Sequence, residues 1–319
     1  MTKPRIITIE EHYTDPELEE GFRDLHTNPL RKLLAERLHD LGELRIKAMD
    51  EAGIDLQVIS HAAPATQKLD PESAAKVTRR VNDRLYEAVR IRPDRFAAFA
   101  SLPTSDPKAA ADELERTVTK LGFKGAMLNG LTNGTLFLDD KRFWGIFERA
   151  QALDVPLYVH PSTPHAAVVD AYFKDFPALI HSPWSFLIET ATTGVRLMMS
   201  GVFDAYPRVK LILGHFGEAL PFSLWRLDFA RSVMKEAAKP KRTFTEYFCE
   251  HFYITTSGNF YTPALLCSIM ATGADRIMLS VDWPFNDNKE AVDWLQGAPL
   301  SREDKAKILG GNAARLLGL

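Results

Sequence analysis

Several short apolar runs in this 319-residue chain end in side chains that can bind a metal ion or move a proton. They are Ile9-Glu10-Glu11-His12, Tyr158-Val159-His160, Leu213-Gly214-His215 and Ser280-Val281-Asp282. Side chains alternate faces along a strand, so Glu10 and His12 are expected to point together into the mouth of the site and Glu11 outward. Glu10, His12, His160 and Asp282 together offer two imidazoles and two carboxylates. That donor set suits one divalent ion, Zn²⁺ or Mn²⁺, with a position left open for substrate. Glu218 follows His215 by three residues, and a carboxylate that fixes an imidazole tautomer makes a proton-transfer pair. The plainer alternative is that Glu218 favours the positive end of a following helix. A single histidine at a run end is usually a hydrogen-bonded structural residue; the functional reading rests on the ends occurring as a set. His61, His165 and His181 are placed where they could also reach the mouth, whereas Cys249 and Cys267 read as core.

A fold must bring these run ends together. Eight short apolar runs occur, at Ile6–Ile9, Leu56–Ser60, Phe96–Ala100, Gly125–Leu128, Val155–Val159, Val209–Leu213, Phe252–Thr255 and Ile277–Val281. Helix signals separate them. Asp70-Pro71 and Asp106-Pro107 each place a capping carboxylate before a first-turn proline, and Gly122 and Gly201 read as helix stops. Strand and helix alternating eight times predict an α/β fold, a (β/α)₈ TIM barrel, whose active site lies at the carboxyl ends of the strands. The surplus residues fall in two insertions, Tyr13 to Gly53 after the first strand and Pro161 to Pro183 after the fifth. From Leu30 the first of these reads as a charged helix. A doubly wound open sheet is the alternative, but no glycine-rich turn follows the first strand. With no linker or repeat in view, residues 1–319 are read as a single domain.

Composition is that of an ordinary globular protein. The chain is 45% hydrophobic and 25% charged, with a formal net charge of -3, which argues against nucleic acid or an anionic membrane as partner. The opening residues lack a signal-peptide apolar run and no stretch is long enough to span a membrane. Two cysteines make no disulfide framework, so the cytoplasm is the expected compartment.

Five separated motifs carry a family resemblance: Ile9-Glu-Glu-His12, Tyr158-Val-His-Pro161, Leu213-Gly-His-Phe-Gly-Glu218 with Leu224-Trp-Arg-Leu-Asp228, Thr255-Thr-Ser-Gly-Asn259, and Ser280-Val-Asp-Trp-Pro-Phe285. Together they resemble the amidohydrolase-related metal-dependent decarboxylases, within these the γ-resorcylate (2,6-dihydroxybenzoate) and 2,3-dihydroxybenzoate decarboxylases. The resemblance runs from Ile6 to Leu319. It implies one ion held by Glu10, His12, His160 and Asp282, with His215 and Glu218 as the acid/base pair. It further implies that Arg226 meets an anionic or phenolic group of the substrate, that Asn129 and Phe285 line the pocket, and that the protein is a homodimer or homotetramer. Hydrolytic members of the wider superfamily tend to carry His-x-His on the first strand and a lysine ending the fourth. Here the first strand has Glu-x-His and the fourth ends in Asn129, which disfavours a two-metal hydrolase.

The reaction implied is reversible, non-oxidative decarboxylation of an ortho-hydroxylated aromatic acid. Direct loss of CO₂ would leave an aryl carbanion, so the ring carbon is protonated first, with Asp282 as the donor and the His215–Glu218 pair handling the phenolic proton. The rival is a mononuclear hydrolase of a lactone or related small substrate, in which the same ion activates water. A third reading, a metal-binding scaffold without activity, leaves the retained proton pair without a purpose.

Overall fold

The computed structural model describes residues 4–21, 29–236 and 239–319. Among the described residues eight parallel strands follow one another in chain order: β1 (Ile7–Tyr13), β2 (Leu56–His61), β3 (Phe96–Ala98), β4 (Ala126–Asn129), β5 (Leu157–His160), β6 (Leu211–Leu213), β7 (Phe252–Thr255) and β8 (Ile277–Met278). Their ladders form two arcs, β1-β2-β3 and β4-β5-β6-β7-β8. A single parallel bridge, Ala100 with Ala126, joins the arcs on one side. On the other, β1 meets the segment after β8 through His12 N–H to the Trp283 carbonyl (2.7 Å) and Glu10 N–H to Ser280 Oγ (2.6 Å). The architecture is the expected (β/α)₈ barrel, with seams bridged by individual hydrogen bonds instead of ladders.

Helices cover the barrel where the sequence placed them. Asp70 caps Pro71–Ile91 by accepting from Glu72 N–H, and Asp106 caps Pro107–Leu121 by accepting from Ala109 N–H. The two insertions build helices of their own: Pro29–His39 and Glu43–Ala52 in the first, Ala166–Phe173 in the second. Part of the first insertion, 22–28, lies outside the described residues.

Two hydrophobic clusters record the strand alternation. Ile7, Ile9, Leu56, Val58, Met127, Tyr158, Ile212 and Met278 fill the barrel interior. Leu128, Leu157, Val159, Leu211, Leu213 and Ile254 face outward onto the helices. On β5, interior Tyr158 puts His160 inside as well, and on β4 interior Met127 does the same for Asn129. β1 breaks the rule. Its pairing with β2 steps from Thr8↔Gln57 to Glu11↔Ile59, three residues against two. This bulge inserts one residue and reverses the alternation. Ile9 and Glu10 therefore both serve the interior, and His12 follows Glu10 inward.

Candidate active site

Glu10, His12, His160 and Asp282 converge at the carboxyl ends of β1, β5 and β8, with their ligand atoms all within 4.8 Å of one another. Glu10 Oε1 is the focus. His160 Nε2 lies 3.2 Å from it, His215 Nε2 3.8 Å and His12 Nε2 3.9 Å. His12 Nε2 is also 3.0 Å from Asp282 Oδ1. Buried imidazole nitrogens and carboxylate oxygens aimed at one point fit a single divalent cation of borderline hardness. Burial alone would raise the Glu10 carboxyl, but His215, His160 and His12 outweigh it and hold it near 2. Burial and the neighbouring Glu10 push Asp282 well above the ordinary carboxylate range.

The other Glu10 oxygen is held from behind. Oε2 accepts from the Tyr158 hydroxyl, which also lies 2.8 Å from Thr255 Oγ1. Such outer contacts orient a ligand and tune its basicity. Gly214 permits the close fit, because a β-carbon there would stand 2.7 Å from Glu10 Oε2. Gly258 does the same beside Asp282: at φ +58 its β-carbon would meet Asp282 Oδ2 at 3.2 Å.

His215 and Glu218 form the expected pair, with Nδ1 and Oε1 2.7 Å apart. The segment adopts a conformation the sequence did not show. His215, Phe216, Gly217, Glu218 and Ala219 all have φ between +50° and +71°. This is a single left-handed turn, costly for the four non-glycine residues. It folds Glu218 back onto Nδ1 and turns Nε2 toward Glu10. Burial lowers the His215 pKa, but Glu218 and Glu10 more than offset it and lift it to about 10.

The remaining sequence candidates divide. Phe285 lies with its ring centroid 5.9 Å from that of His12. Asn129 is buried on the interior face in register with His160, and neither atom of its carboxamide has a hydrogen-bond partner among the described residues. Arg226 sits exposed on the helix Leu220–Ser232, and no contact among the described residues ties it to the cluster. His61 is buried against Tyr13, its ring 5.3 Å away, on a face that does not join the cluster. His165 caps the helix Ala166–Phe173, and His181 Nδ1 lies 3.4 Å from Thr163 Oγ1.

Sequence reasoning passed over three residues: Tyr158, Ser60 and Glu189. Ser60 is the register partner of His12, buried, with its hydroxyl unpartnered among the described residues. Glu189, on the helix Ser185–Ser200, is pushed up to about 7 by burial against the opposing pull of Thr193, Ser162 and Thr190. Only the interior parity of β2 and β5 could have flagged the first two.

Comparison with known proteins places this geometry in a family. The amidohydrolase family model matches residues 23–319, and the chain belongs to that family. It is 43% identical over 322 residues to the γ-resorcylate decarboxylase of Polaromonas sp. strain JS666, covering 98% of each chain. Among solved structures, a 2,6-dihydroxybenzoate decarboxylase complexed with 2,6-dihydroxybenzoate superposes with a TM-score of 0.93 at 40% identity, covering 99% of this chain and 100% of that one. A dihydroxybenzoic acid decarboxylase from Polaromonas sp. JS666, with bound manganese and the inhibitor 2-nitroresorcinol, gives a TM-score of 0.93 at 41% identity, covering 99% of this chain and 98% of that one.

Proposed function

We propose that the chain is a metal-dependent, non-oxidative decarboxylase of an ortho-hydroxylated aromatic acid, with 2,6-dihydroxybenzoate as the first substrate to try. The observation that carries this is the convergence of four candidate ligands beside an oriented His–Glu pair, in a chain so similar to γ-resorcylate decarboxylase along its length.

Glu10, His12, His160 and Asp282 would hold the ion, Mn²⁺ or Zn²⁺, which would supply Lewis-acid neutralisation of the anionic substrate. Asp282 is the proton donor to the ring carbon that bears the carboxylate. The bond to the carboxylate carbon then breaks, its electron pair restores the aromatic ring, and CO₂ leaves. His215, with Nδ1 fixed by Glu218, lends its Nε2 proton to the phenolic oxygen and takes it back. Phe285 flanks the ring, and the unpartnered carboxamide of Asn129 hydrogen-bonds a ring substituent. Arg226 is assigned to an anionic group of the substrate on the family resemblance alone. Each step is reversible, so high bicarbonate drives carboxylation of the phenol.

We further take residues 1–319 as one domain and the protein as a homodimer or homotetramer. The exposed stripe of Phe222, Trp225 and Phe229 along one helix, continued by Val233 just past its end, supports self-association. The two free cysteines favour the cytoplasm; among the described residues no helix is long and apolar enough to cross a membrane.

Reconstitution with Mn²⁺ or Zn²⁺, followed by chromatography of a panel of ortho-hydroxybenzoates, tests the reading, with His12→Ala as control. Matched loss of acid and gain of phenol, absent in the control, is the expected result. Lactone turnover without decarboxylation would instead assign a hydrolase.

A further inference from the structure

Glu11 lies between two candidate ligands in the chain and faces away from both, yet it is fully buried. Its carboxylate is spent on the segment after β8. Oε1 accepts from Val281 N–H at 3.0 Å and Oε2 from Trp283 N–H at 3.1 Å, with Ser280 Oγ 3.3 Å from Oε1. Those two amides flank Asp282, which sits at φ +68, in the left-handed region.

Arg45, on the helix Glu43–Ala52, completes the arrangement from the other side and is likewise fully buried. Its Nη2 donates to the His12 carbonyl at 2.5 Å, its Nε to the Asp40 carbonyl at 3.0 Å, and its Cζ stands 4.0 Å above the Trp283 ring. His12 N–H donates to the Trp283 carbonyl at 2.7 Å. The two chain segments carrying His12 and Asp282 are thus cross-tied by one acid, one base and one backbone bond.

We propose that Glu11 and Arg45 are positioning residues: they lock the end of β1 to the turn after β8 and thereby set the His12–Asp282 geometry of the metal centre. This rests on the metal-centre reading above. A carboxylate is needed at position 11 because it presents two acceptor oxygens to two diverging amides. A carboxamide offers one acceptor and turns an N–H donor against the other amide, which is then buried without a partner. At position 45 a guanidinium can bond two carbonyls and stack on an indole at once; a lysine cannot do all three.

The test uses cobalt(II), whose visible absorption reports ligand geometry, on wild type, Glu11→Gln, Glu11→Asp, Arg45→Lys and His12→Ala. Glu11→Gln and Arg45→Lys are expected to weaken Co²⁺ binding by about 10–100-fold and to shift the absorption bands, with Glu11→Asp, which keeps both acceptors, falling between them and wild type. In metal-free Glu11→Gln the amides of Val281 and Trp283 exchange with solvent faster than in wild type, a readout independent of turnover. Wild-type protein that binds no Co²⁺ would overturn the metal centre and the clamp with it. Wild type that binds Co²⁺, with Glu11→Gln matching it in affinity, spectrum and amide exchange, would overturn the clamp alone. Should Glu11→Gln fail to fold, the same comparison is decided by Glu11→Asp.

Discussion

Replacing Glu218 by Gln should bring the His215 pKa down from about 10 by roughly one unit. The perturbation is nearly isosteric, so Nδ1 keeps an acceptor and the left-handed turn keeps its shape; only the charge is removed. A hydrogen bond to a charged partner is worth roughly 1.5–3 kcal/mol against about 1 for a neutral one, so the loss is on the order of 1–2 kcal/mol. At 1.36 kcal/mol per pKa unit this is roughly one unit. The remaining elevation belongs to Glu10 Oε1, 3.8 Å from Nε2, and to Asp282. The assay is an NMR titration of the His215 ring in the metal-free protein between pH 6 and 11, assigned with His215→Gln. In wild type the imidazolium loses its proton around pH 10; in the variant it titrates earlier, and the histidine's contribution to stability disappears at correspondingly lower pH. An unmoved midpoint would show that Glu218 does not set the protonation of His215, and its role as the orienting half of the pair would fall.

Gly214→Ala tests the close fit around Glu10. At φ -70 alanine suits the backbone, so the expected loss of metal affinity, on the order of tenfold or more, comes from the 2.7 Å approach of its β-carbon to Oε2; equilibrium dialysis giving wild-type affinity would refute it. Tyr158→Phe removes the hydroxyl that links Glu10 to Thr255 and should also weaken metal binding, by roughly tenfold, without collapse of the fold, as read by dialysis and circular dichroism. Glu189 gives a stability signature: its folded pKa of about 7 exceeds its ordinary 4.5. The raised value means that its contribution is fully present below pH 4.5 and is lost as pH rises through 7, about 3 kcal/mol in all. Glu189→Gln should therefore match wild type in urea unfolding at low pH and gain on it at pH 8; parallel curves would contradict the assignment.

What the sequence made legible was whatever obeys a local period. Tyr158-Val159-His160 alternates cleanly, so His160 could be placed inside the barrel from its neighbours, and the capping aspartates at 70 and 106 announced their helices. Tyr158 itself was not readable as a partner of Glu10, because an aromatic in an apolar run looks like core until the residue across the barrel is known. Arg226 entered through family resemblance, and its exposed helix position shows no route of its own to the cluster.

The centre of the site escapes local reading for a common reason. Strict alternation from Ile7 and Ile9 would have put Glu11 inside the barrel and Glu10 and His12 outside; the bulge between Thr8 and Glu11 reverses that, and nothing in Ile-Glu-Glu-His marks an inserted residue. His215, Phe216, Glu218 and Ala219 adopt left-handed backbone that their side chains disfavour, and Asp282 shares that region. In each case a local preference yields to tertiary bonds that no single segment contains: β1 is held to the turn after β8 through Glu11, and Glu218 is folded onto His215. Backbone that departs from its own propensity at the cluster, while the surrounding barrel follows it, is the pattern of a site whose geometry is imposed by the whole fold. Substitutions that relax this backbone should then leave the barrel standing and lose the metal first.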